Sequence, residues 1–98
     1  MRGSKSFKEA VIKTKEIVSD GIRYRYDLSV HISDRVASFR LPLYSIGVSM
    51  LMPDGTETRA SAENAFADIG KALVFFDKAI RNLITPIDLA YVIEDERI

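Results

Sequence analysis

Residues 67–84 read ADIGKALVFFDKAIRNLI, the one long stretch of the chain with sustained helical periodicity. Ile69, Leu73, Phe76, Ile80 and Leu83 recur at steps of four and three, which sets them on one stripe of a 3.6-residue helix. Full burial of each such side chain stabilises a fold by about 1.5–3 kcal/mol, so the stripe predicts a lid over a sheet. On the same wheel Val74 and Phe75 fall away from the stripe, among Lys71, Lys78 and Asn82. An aromatic on a polar helix face predicts a second contact surface, covered by another copy of the chain or by the terminal helix.

The sheet lies upstream. Ile22, Tyr24, Tyr26, Leu28, Val30 and Ile32 alternate with Arg23, Arg25, Asp27, Ser29 and His31, a period of two that gives a strand one buried and one wet face. Ser19-Asp20-Gly21 before it is hairpin punctuation, so residues 9–18 are its partner strand although their own period is ambiguous. Leu43 to Met52 resumes the alternation, with Ser45, Gly47 and Ser49 as a row of small residues on one side. Pro53-Asp54-Gly55 is a second turn, and it assigns Thr56 to Asn64 as a return strand despite weak strand propensity. Val36 to Leu41 is a candidate fifth strand, stopping at Pro42.

Downstream of the lid, Thr85-Pro86-Ile87-Asp88 predicts a fresh helix, with Thr85 as N-cap and Pro86 at the first helical position. Strands followed by helices predict an α+β fold. It is a four- to five-stranded antiparallel meander over 9–64, with a long helix and a short C-terminal helix over 67–95 packed on one face. Residues 1–8 are expected to be mobile, and 1–98 to form one domain.

The chain has no cysteine, which removes disulfides, thiolate metal sites and thiol nucleophiles. It has no apolar run of membrane-spanning length and no signal-like N-terminus, so a cytoplasmic location is expected, with no membrane partner. Net charge is zero, but residues 1–40 carry nine basic and five acidic residues while 41–98 carry five and nine. This asymmetry directs attention to the polar face of residues 22–32, where Arg23, Arg25 and His31 form a candidate anion site, with Lys13, Lys15 and Arg40 as candidate neighbours. Tyr24 and Tyr26 lie on the opposite, core-facing side, which disfavours nucleic acid because single-strand binders stack bases on exposed aromatics.

His31 is the only histidine, the five glycines are isolated, and Glu94-Asp95-Glu96 is a solvated acidic end. No catalytic constellation, metal site or cofactor loop emerges. The reading is a non-enzymatic protein-interaction or regulatory module that self-associates or binds a protein partner. Polyanion or RNA binding through the basic sheet face is the alternative.

The strings Tyr44-Ser45-Ile46-Gly47-Val48 and Asn64-Ala65-Phe66, the amphipathic helix, and the run from Arg81 through Thr85-Pro86 to Val92-Ile93-Glu94-Asp95 carry a further signal. Over residues 44–97 the chain resembles a family of small proteins from clostridia and related Firmicutes, a domain of unknown function. The resemblance implies a fold, and no substrate, cofactor or catalytic residue.

Overall fold

A computed structural model describes residues 7–33 and 42–96. Strands β1 (Phe7–Ser19), β2 (Ile22–Ser33), β3 (Leu43–Leu51) and β4 (Glu57–Phe66) are followed by helices α1 (Ile69–Arg81) and α2 (Pro86–Glu96). The strands make one antiparallel sheet in the order β1-β2-β3-β4, so the fold is α+β with each strand bonded to its neighbour in sequence. The candidate fifth strand, Val36 to Leu41, lies outside the described residues. β1 starts at Phe7, ahead of the expected Glu9, and β4 runs to Phe66, beyond Asn64. The helices are 13 and 11 residues long, so the second is nearly the equal of the first.

Local chemistry explains the corners. Ser19 pairs directly with Ile22, leaving Asp20 and Gly21 as a two-residue loop, both at positive φ (55° and 79°) as a type I′ hairpin turn requires. At the second hairpin Gly55 takes φ 94° and its amide donates to the Met52 carbonyl at 3.0 Å, while Asp54 Oδ1 accepts from the Thr56 amide at 2.9 Å. Asp68 caps α1, its Oδ1 accepting from the amides of Gly70 (2.7 Å) and Lys71 (3.4 Å). Thr85 caps α2 in the same way, its Oγ1 accepting from the Asp88 amide at 3.2 Å.

Between the helices, the Ile84 amide donates to Ala79 O and the Leu83 amide to Ile80 O, the paired bonds of a Schellman motif. The left-handed position of that motif, usually glycine, is Leu83 at φ 47°, a strained choice for a side chain with a Cβ. The corner is held from outside: the hydroxyl of fully buried Tyr26 donates to the Ile84 carbonyl at 3.0 Å. Burial, reinforced by Tyr24, pushes the Tyr26 phenol up to about 12.

The core lies between the helices and one face of the sheet, with Tyr26 and Leu28 of β2 and Ile46 and Val48 of β3 meeting Phe75, Phe76, Leu89 and Ile93. α1 lies over β2 and β3, and α2 over β4 and β3. The buried stripe of α1 is Ala72, Phe75, Phe76 and Ala79, rotated by roughly 70° from the Ile69-Leu73-Phe76-Ile80-Leu83 stripe that side-chain size predicts, at about 100° per residue. Ala72 and Ala79 are the cause. Their methyl groups occupy the middle of the buried stripe, and Phe75 and Phe76 flank it on either side. Leu73 and Ile80 are left half-buried, and Ile69 is 39% exposed.

This geometry corrects the expected contact surface on α1. Phe75 is 1% exposed and packs on Phe66 with ring centroids 5.5 Å apart, so it is a core residue covered within its own chain. Of the other positions expected there, Val74 is 67% exposed, Lys71 is exposed and Lys78 is half-buried. A surface built on Phe75 is therefore excluded.

Candidate functional site

Both helices sit on one side of the sheet, and among the described residues no helix or strand packs on its other face. Directly opposed residues of an antiparallel pair share a face, so the register defines that surface in rows. Glu16, Arg25, Ser49 and Arg59 form one row across β1 to β4, and Thr14, Asp27, Gly47 and Ser61 form the next. Val18, Arg23, Leu51 and Glu57 form a third row toward the hairpin turns. In the central rows Arg25 and Asp27 thus stand along β2, while β3 presents the hydroxymethyl group of Ser49 and the bare α-carbon of Gly47, with Leu51 closing the face toward the turns. The outcome is a groove of about 630 Å3 along β3, walled by Arg25 and Asp27 on one side and Arg59 and Glu63 on the other.

The polar contacts show which groups are engaged. Asp27 Oδ1 accepts from Thr14 Oγ1 at 2.9 Å and from Arg25 Nε at 3.4 Å. The Arg25–Asp27 pair is substantially exposed, so it contributes at most about 1 kcal/mol. Ser61 donates to Glu63 at 2.8 Å. Ser45 serves the fold itself. It is buried, and its Oγ accepts at 2.8 Å from the amide of Asn64, whose φ of 51° marks the irregularity where β4 slips register against β3. Among the described residues, Glu16 and Arg59 make no side-chain hydrogen bond or ion pair.

Gly47 is the informative position. Its φ is not positive, and an added Cβ would meet only Asp27, at an ordinary 3.9 Å. Glycine weakens a strand interior, and nothing among the described residues requires it here.

Arg23, Arg25 and His31, the candidate anion site, do share this face, where His31 is half-buried opposite Leu43. They are not joined by the lysines expected beside them. Lys13 and Lys15 oppose Leu28 and Tyr26 and so belong to the helix side, where the Lys13 ammonium stands 5.7 Å from the centroid of the Phe76 ring. Arg40 lies outside the described residues. In place of the lysines the face gains Glu16, Asp27, Glu57 and Glu63, so its charges are mixed. Sequence reasoning misses Arg59, because β4 is assigned from its turn alone and the alternation of Glu57, Arg59, Ser61 and Glu63 with Thr58, Ala60 and Ala62 goes unused. The register Arg25–Ser49–Arg59 is the signal that finds it.

The sheet edges carry guards. β1 has a register irregularity between Val11 and Lys13 and carries the exposed Lys13 and Lys15 on its helix side, and β4 is irregular near Asn64. Irregularities and edge-strand lysines of this kind oppose edge-to-edge pairing. Among the described residues no three metal-ligating side chains converge, and no helix is long and apolar enough to cross a membrane. Asp54, whose carboxyl is held below its usual range by bonds from Thr56, does not line the groove, and the Tyr26 side chain points to the opposite, covered face. Compared with known proteins, the chain matches no family model, no characterised relative and no solved structure.

Proposed function

We propose that this chain is a cytoplasmic, non-enzymatic protein-interaction or regulatory module that self-associates through the open face of its sheet, and that it belongs to the clostridial family its C-terminal half resembles. The observation that carries the interaction reading is Gly47, flanked by Ser45 and Ser49 on a central strand. Among the described residues the small row serves the fold only through the Ser45 bond, whereas an approaching surface gains a trough to enter. The guarded edges and the burial of Phe75 direct association to the same face. Polyanion or RNA binding has less support, because Glu16 opposes Arg25 and Asp27 pairs with it.

Ser49→Arg fills the trough without touching the core. The expected result in sedimentation velocity is a wild type heavier than one chain and a variant sedimenting as one chain, with identical circular dichroism. Wild-type protein that stays monomeric from micromolar to near-millimolar concentration overturns the reading, as does a variant that associates like the wild type.

A further inference from the structure

We infer, resting on that reading, that the occupant of the open face is a second copy of this chain, packed face to face about a two-fold axis that runs parallel to the strands between β2 and β3. Such an axis keeps the rows and reverses the columns. β2 of one copy lies over β3 of the other, and β1 over β4.

The side chains fit that operation. Arg25 comes over Ser49 of the second copy and Asp27 over its Gly47, so the charged ridge of each β2 enters the trough of the other β3. At the flanks Glu16 meets Arg59 of the second copy, two groups of opposite charge that have no side-chain partner among the described residues. Symmetry makes that contact twice, as an isologous interface must. The other two-fold in the sheet plane, running across the strands, stacks ridge on ridge and leaves trough facing trough. Aligned sheets pack within about 30° of each other, so the central rows superpose and Val18 and Leu51 fall at the rim.

The size of the face agrees with an exchanging dimer. Four strands about 4.8 Å apart and nine residues of about 3.4 Å cover roughly 600 Å2 in projection. That is at the low end of about 600–1,000 Å2 per partner in standard interfaces.

A charge swap tests the arrangement in the full chain. Glu16→Arg and Arg59→Glu should each raise the dimer dissociation constant by roughly tenfold or more, since each places like charges together at two symmetric points. The double variant Glu16→Arg/Arg59→Glu should return it to near the wild-type value. If the singles have no effect, or the double fails to recover while Ser49→Arg still dissociates the dimer, the two-fold arrangement is overturned and the open-face reading survives. If Ser49→Arg also leaves the dimer intact, or the wild type is monomeric, both fall. Circular dichroism of each variant confirms that the fold is present.

Discussion

The two faces of this sheet are written by alternate residues of the same strands, yet they obey different rules. On the covered face β2 and β3 both carry bulky apolar groups, Tyr26 and Leu28 beside Ile46 and Val48, and the helix answers with alanines in the middle of its buried stripe. On the open face the middle of β2, Arg25 and Asp27, is bulky and charged while the middle of β3, Ser45, Gly47 and Ser49, is nearly bare. Water needs no such unevenness, since any polar side chain satisfies it. Residue size on a wet face therefore carries information when the fold supplies no reason for it.

The strongest challenge to this contrast is an attack on the covered face. Phe76→Ala should lower stability by about 3–5 kcal/mol in urea denaturation, and Phe75→Ala by a similar amount, because both rings are buried. Phe75→Glu should unfold the chain instead of separating folded copies. A folded Phe75→Glu variant with wild-type circular dichroism would show that the helix is seated on a different stripe.

Tyr26→Phe refines the contrast at the polar contact that reaches the middle of the core. It should cost about 1–3 kcal/mol at neutral pH, the penalty for a buried carbonyl left without its donor. It should also change the alkaline limb. The folded-state phenol titrates at about 12 against an ordinary value of 10, so between those pH values the unfolded chain loses this proton while the folded chain keeps it. The contribution is complete below pH 10 and is lost as pH rises toward 12. Wild-type stability should therefore fall more steeply across that window than that of Tyr26→Phe, as denaturation midpoints at stepped pH will show.

Thr85→Ala removes the cap of α2 and should cost about 1 kcal/mol, visible as a lower melting temperature. The smallest effect has the opposite sign. Gly47→Ala should stabilise the isolated fold by about 0.5–1 kcal/mol, since the added methyl meets only ordinary contact and the strand loses a flexible residue. A destabilised Gly47→Ala monomer would mean that the chain itself requires glycine there, and the contrast between the faces would lose its main support.

Much of the fold is legible in the sequence because its corners are chemically explicit. Asp20-Gly21, Pro53-Asp54-Gly55, Asp68 and Thr85-Pro86 each prescribe a backbone state that the chain adopts. The α1 stripe is misplaced when periodicity is weighed by size, because Ala72 and Ala79, which occupy the middle of the buried stripe, weigh little on that scale. The period of β1 is obscured for a different reason: the irregularity between Val11 and Lys13 moves the later residues to the other face. The candidate site is legible only in fragments. Arg23, Arg25 and the row Ser45-Gly47-Ser49 stand out in one dimension, but Glu16 and Arg59 join them only through pairing register, which a single strand does not encode.

Placing both helices after all four strands has a consequence for how the protein is made. A ribosome releases the meander first, with Tyr26, Leu28, Ile46 and Val48 still bare on the side the helices will occupy. At about 5–20 residues per second, α1 and α2 follow only after some seconds. During that interval the nascent chain shows apolar groups on one side and a trough on the other, and polysomes bring neighbouring copies within reach. The edge lysines of β1 and the irregular margins of the sheet are then at their most useful, keeping unfinished chains from zipping together before each has its own lid.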